Sequence, residues 1–261
     1  MIWLQQNLHF QWMPPFIVGS EVANVTSRLA DALKFSGLIS LSYGAFCFLL
    51  PHTPPKRNAV EKLAFKKAFE LFKETSFTIL VVASLAVSVI HQIYFLQTGP
   101  FLSHIGILDS QIGPAMTIGQ FAEIITMAYL GFFLKRLGFH KVISIGIAAY
   151  CVRYAIFGTE FFPVWVMVIS QAFHGFCYAF FFAAAYIYVD KIADEDVRHS
   201  AQTVFGIIIL GGGPVIGGWL SGYLQNVYTV NGIFDYSSFW YILSIIGLAT
   251  TLFFYFLFQN Q

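Results

Sequence analysis

Hydrophobic side chains run in seven long blocks, at residues 30–50, 77–99, 112–134, 142–158, 163–189, 201–224 and 237–258. Crossing a bilayer takes about 20 apolar residues in a helix. The blocks lack the in-out alternation of barrel strands, and a spanning segment must close its own backbone hydrogen bonds. Each block therefore predicts a transmembrane helix. Between the first two blocks the pattern changes. PHTPP stops the first helix, because proline lacks an N–H and pushes the residue before it towards extended geometry. NAVEKLAFKKAFELFKE then sets Val60, Leu63, Phe69 and Phe72 at mostly helical spacings among lysines. This predicts either an amphipathic helix at the cytoplasmic membrane surface or a solvated linker. The expected organisation is an N-terminal segment with one span (1–50), a linker (51–76) and a six-helix bundle (77–261).

Composition identifies the solvent. Apolar residues make up 57% of the chain and charged residues 10%, with a mean hydropathy of +0.70. A soluble domain carries about 25% charged residues to face water, so this chain needs lipid around it. A net charge of +1 gives no basic surface for nucleic acid. Cys47, Cys151 and Cys177 lie in apolar stretches without metal-ligand spacing and read as reduced packing residues. Neither HExxH, GxSxG nor GxxxxGK[ST] occurs, and the last span has no lysine for a retinal Schiff base. These absences point away from enzyme and photoreceptor classes, and no cofactor or metal is expected. The start of the chain, MIWLQQNLHFQWMPPFIVG, lacks the basic end, apolar run and cleavage site of a signal peptide.

Charge also sets the orientation. Lys56, Arg57, Lys62, Lys66, Lys67 and Lys73 fall in the first connection, Lys135, Arg136 and Lys141 in the third, and Lys191 and Arg198 in the fifth. The alternate connections have no Lys or Arg, so the charged ones, and the C-terminus, are expected in the cytoplasm. One span, a long basic linker and six spans match the last seven spans of a twelve-span, two-bundle transporter.

Charge inside a span is costly and needs a partner or a function. Glu123 lies mid-span with Gln120 one turn before it on the same face. The pair can bind a polar solute and exchange a proton; the structural alternative is a protonated Glu bonded to a neighbouring helix. Arg153 either pairs with an acidic group inside the bundle or snorkels outward. His91 and Gln92 sit in the second span, and His174 and Tyr178 in the fifth, one turn apart. Imidazoles titrate near neutral pH and both donate and accept hydrogen bonds. In GGGPVIGGWLSG, glycines four apart permit close helix contact, and the run around Gly211–Pro214 weakens the helix.

TIGQFAE, FFLKRLGFHKVISIGIAAYCVRYAIFG and VDKIADEDVRHSAQTVFGIIILGGGPVIGGWLSG resemble the C-terminal half of bacterial nucleoside:proton symporters of the major facilitator superfamily. The resemblance runs from about residue 77 to the end. It implies an all-α membrane protein with a major facilitator-type helical bundle. About seven transmembrane helices are expected: the last span of the N-terminal bundle and the six-helix C-terminal bundle. It also implies that Gln120 and Glu123 are the family's nucleoside-binding Gln-x-x-Glu pair, and that Gln92 matches a polar position on the first helix of this half. His174 and Tyr178 fall where the family has a binding Tyr and Phe, and Ala179 stands where it has an Asp. The expected activity is proton-coupled nucleoside symport across the inner membrane. Gln92, Gln120, Glu123, His174 and Tyr178 would line the solute path, Glu123 and His174 would couple the proton, and Arg153 would be a supporting charge. The partners are a small solute, protons, lipid and a missing N-terminal helical bundle, the chain being expected to be part of a longer transporter. Transport of another solute such as a sugar, or a non-transporting remnant, are the alternatives.

Overall fold

The computed structural model describes residues 25–51, 68–159, 161–195 and 197–258. It divides into two units, 1–58 and 59–261. In the first, α1 (Val25–Cys47) carries an exposed apolar surface that includes Leu38, Ile39, Leu41 and Tyr43. Lys34 Nζ reaches the buried Asp31 at 2.9 Å, one turn away. The N-terminal 24 residues and most of the expected amphipathic linker lie outside the described residues. The linker's described end is a short 3-10 turn, Phe69–Lys73, in which Phe72 meets Phe77 edge-on.

The second unit contains α2 (Thr75–His104), α3 (Asp109–Gly158), α4 (Val164–Ile192), α5 (Arg198–Val227) and α6 (Tyr236–Leu257). All five are long and apolar enough to cross a membrane. Among the described residues the only strands are Thr229–Val230 and Ile233–Phe234, an antiparallel hairpin between α5 and α6. Its turn residues Asn231 and Gly232 both have positive φ. Asp235 then caps α6 by accepting a hydrogen bond from Ser238 N–H. Hydrogen bonds from Ser238 hold the Asp235 carboxyl below its usual pKa range. The stabilisation is therefore present at neutral pH and lost as pH falls through that lowered value.

A straight helix of 50 residues would be about 75 Å long, more than twice the thickness of the hydrocarbon layer. Instead α3 reverses at Gly138, whose φ of 76° and ψ of 168° belong to a region open only to glycine. Contacts with α4 trace the reversal. Gly119 lies against Gln171 and His174, Phe133 against Phe180, and Phe139 against Tyr188. Past the turn the order runs backwards, with Gly146 against Phe180 and Phe181 and Arg153 against His174. The expected loop at 135–141 is therefore a one-residue break between two helical arms, 109–137 and 139–158. Lys135, Arg136 and Lys141 flank the break inside helical geometry.

Two helices widen into π turns, α4 at Phe176–Ala183 and α5 at Ile207–Gly212. The second begins just before the glycine run expected to weaken the helix. Of the small-residue pairs, Gly213 abuts Ser88 and Gly217 abuts Val89 and Gln92, while Gly218 and Gly222 have open space. Ser88 Oγ also donates to the Ile209 carbonyl, which the π turn frees for it. α2 and α5 are thereby held close. Trp240, Phe101, Phe157 and Phe239 pack one end of the unit, and Tyr188, Phe254 and Phe258 the other. The outward apolar side chains, among them Val152, Ile245, Leu248 and Leu252, are exposed as lipid contact requires. The chain is a multi-pass helical membrane protein.

Candidate functional site

Polar residues on α2 recur at Ser84, Ser88, His91, Tyr94 and Gln97, a stripe at helical spacing directed into the bundle. Two members serve packing: Ser88 binds α5, and Gln97 Nε2 donates to Ser221 Oγ at 2.9 Å. His91 and Tyr94 face α3 and α4. The first arm of α3 supplies Glu123, the second Arg153 and Tyr150, and α4 supplies Gln171 and His174. Glycines bring these elements together. A Cβ on Gly119 would stand 3.0 Å from His174 Cβ, and one on Gly175 would stand 2.5 Å from the Ala122 carbonyl oxygen.

Arg153 is at the centre of this group and is 0% exposed, so it does not snorkel. Nor does it bond a carboxylate among the described residues. Its guanidinium carbon lies 3.6 Å from the Tyr94 ring centroid, a cation–π contact in a desolvated setting. Its Nη1 lies 3.2 Å from His174 Nδ1, and its Nε and Nη2 have no hydrogen-bond partner among the described residues. Tyr94 in turn donates from its hydroxyl to Gln171 Oε1 at 3.0 Å.

His174 links this buried cation to Glu123. Its Nε2 is 3.8 Å from Glu123 Oε2, and the Glu123 side chain is 24% exposed while that of His174 is 3% exposed. Carboxylate, imidazole and guanidinium thus form a line running from a partly open surface to the bundle interior. His91 stacks on His174 with centroids 5.6 Å apart, and its Nδ1 lies 2.8 Å from the Tyr150 hydroxyl.

The structure places the remaining expected residues as follows. Gln120 is exposed on the same arm as Glu123. Tyr178, 36% exposed, has its ring 6.4 Å from each of His91 and His174. Gln92 is half-buried and turned towards Gly217 of α5 rather than towards Glu123. Exposed Phe95 closes the wall, edge-on to both histidines. Sequence reasoning missed Tyr94, Tyr150 and Gln171. Their signal is spacing, since Tyr94 follows His91, and Gln171 precedes His174, by three residues on one helix face.

The site is an open wall and not an enclosed chamber. A cavity of about 200 Å³ lies elsewhere, lined by Phe101, His104, Phe157, Met167 and Tyr236. On the wall, Gln120 and Glu123 offer donor and acceptor atoms, and Phe95 and Tyr178 offer aromatic surface.

A family model described as "Nucleoside H+ symporter" matches residues 13–261. The chain is 28% identical over 269 residues to the transporter YegT of Escherichia coli (strain K12), covering 97% of this chain and 62% of YegT. It is 29% identical over 215 residues to the nucleoside permease NupG of the same organism, covering 76% of this chain and 51% of the permease. Its structure is similar to the crystal structure of nucleoside transporter NupG, with a TM-score of 0.70, 27% identity, and coverage of 90% of this chain and 60% of that one. The chain thus spans 51% to 62% of the length of these proteins.

Proposed function

The chain belongs to the nucleoside H+ symporter family, and from that premise we propose that it acts in proton-coupled nucleoside transport across the cell inner membrane. The observation that carries this reading is the line from Glu123 through His174 to Arg153. A carboxylate at an open wall inside a membrane bundle, backed by a buried cation through an imidazole, suits a site that alternately takes up a proton and a polar solute. Gln120 and Glu123 bind the solute's polar edge and Tyr178 its ring, with buried His174 behind Glu123 and Gln92 turned away to α5. Glu123, with His174 beside it, couples the proton, and Arg153 supports both.

In this reading α2 to α6 form the six-helix C-terminal bundle, with α3 counted as two spans. α1 is the last span of the N-terminal bundle, which makes seven. Basic residues support a cytoplasmic C-terminus. Lys191 Nζ lies 5.5 Å from the Phe139 ring beside the Gly138 reversal, and Arg198 faces Asp190 close by. The connections 105–108, 159–163 and 228–235, expected at the opposite end, contain no Lys or Arg.

A second reading, transport of another solute such as a sugar, is favoured by the fully buried Ala179 where the family resemblance implies an Asp. Lightly buffered vesicles carrying the protein, expressed from its full reading frame, separate the two. Adding uridine should alkalinise the medium as protons enter with it. Alkalinisation by a sugar and not by uridine would transfer the assignment to the second reading.

A further inference from the structure

Arg153 has a property its neighbours lack: it offers donors only. A guanidinium has no acceptor atom and does not lose its proton in a protein. With Arg153 Nη1 at 3.2 Å, His174 Nδ1 must present a lone pair. A neutral imidazole accepting at Nδ1 carries its one proton on Nε2. Nε2 is the nitrogen that faces Glu123, at 3.8 Å from Oε2. Closing that gap to hydrogen-bond length takes a shift of roughly 1 Å, or a bridging water.

We propose that Arg153 is a positioning residue that fixes His174 as the neutral Nε2–H tautomer and aims that N–H at Glu123, so that Glu123 alone binds and releases the coupled proton. The word "coupled" rests on the symport reading; the tautomer does not. A second proton on His174 would have to sit on Nδ1, N–H against N–H with a fully buried guanidinium. The other groups around His174 do not offset this. α2 presents His91 and Tyr94, and the second arm of α3 presents Tyr150, Tyr154 and Arg153 itself. α4 adds Cys177 and Tyr178. α6 has no Asp, Glu, Lys, Arg or His, and α5 has only Arg198 and His199 at its first turn. Glu123 is the one carboxylate facing the ring among the described residues, and it faces the nitrogen that is already protonated.

The test reads the ring directly. The protein is purified in lipid nanodiscs with isotope-labelled histidine, and long-range proton–nitrogen spectra are recorded from about pH 5 to about pH 8, the range in which a free imidazole titrates. The His174 signals are assigned by their loss in His174→Gln. The wild type should show Nδ1 unprotonated and Nε2 protonated throughout. Arg153→Gln should convert His174 to a ring that becomes doubly protonated at the acid end, and Arg153→Lys should restore the wild-type pattern. A wild-type His174 protonated on Nδ1, in either the neutral or the charged ring, overturns the proposal, and so does an Arg153→Gln spectrum identical to wild type. If Arg153→Gln does not fold, the wild-type spectrum still decides. Solute uptake does not enter this readout, so failure of the symport reading and failure of the tautomer are seen separately.

Discussion

Replacing Glu123 with Gln is expected to abolish pH-driven accumulation while leaving downhill exchange of solute in place. One pH unit across the membrane is worth about 1.4 kcal/mol per proton. A symporter moving one proton with each solute can therefore hold about a tenfold concentration ratio per pH unit. Gln keeps the shape of Glu123 and its ability to hydrogen-bond, but it cannot ionise. The variant should bring labelled uridine only to equal concentration on the two sides, a loss of about tenfold in accumulation at a gradient of about one unit. Membrane insertion should be unchanged, because removing an ionisable group from a span lowers the cost of burying it. Uphill uptake equal to wild type would place the coupled proton elsewhere.

Gly175→Ala should be among the most damaging single-methyl changes in the bundle. The added carbon would stand 2.5 Å from the Ala122 carbonyl oxygen, 2.6 Å from its carbon and 2.8 Å from Thr126 Oγ1. Two of those atoms are helix backbone and cannot rotate away, so α3 and α4 must separate. Overpacking of this kind costs about 3 kcal/mol. It also acts on the site, since Glu123 follows Ala122 and His174 precedes Gly175. Gly131→Ala is the control, because nothing stands within 4 Å of its added carbon. There a methyl on an exposed helix should be neutral or stabilising by up to about 1 kcal/mol. Thermal midpoints of the purified proteins compare the two. Equal midpoints would contradict the close contact of α3 with α4.

The helical spans were legible because the hydrocarbon layer imposes both length and apolarity, so each block at 77–99, 163–189, 201–224 and 237–258 lies within an observed helix or overruns it by one residue at one end. Their ends were less legible. α2 continues through Gly99 and Pro100 to His104, since hydropathy does not register the polar turns in which a helix reaches water. The reversal at Gly138 also escaped notice. Hydropathy places a charged connection at 135–141 but does not show that one glycine with positive φ suffices for the turn. In the site, Glu123 and His174 were legible from the cost of burying ionisable groups. Arg153 was singled out on the same ground, but its partners were not legible, because they are an aromatic face and a ring nitrogen contributed by other helices. Gln92 pointed to α5 for a related reason: spacing on one helix fixes a face, not the neighbour which that face meets.

Uridine uptake into right-side-out vesicles under an imposed pH gradient, acid outside, tests symport most directly. Symport predicts a transient rise above equilibrium that a protonophore removes and that Glu123→Gln lacks. Uptake that never exceeds equilibrium, in vesicles where the protein is correctly inserted, would contradict it.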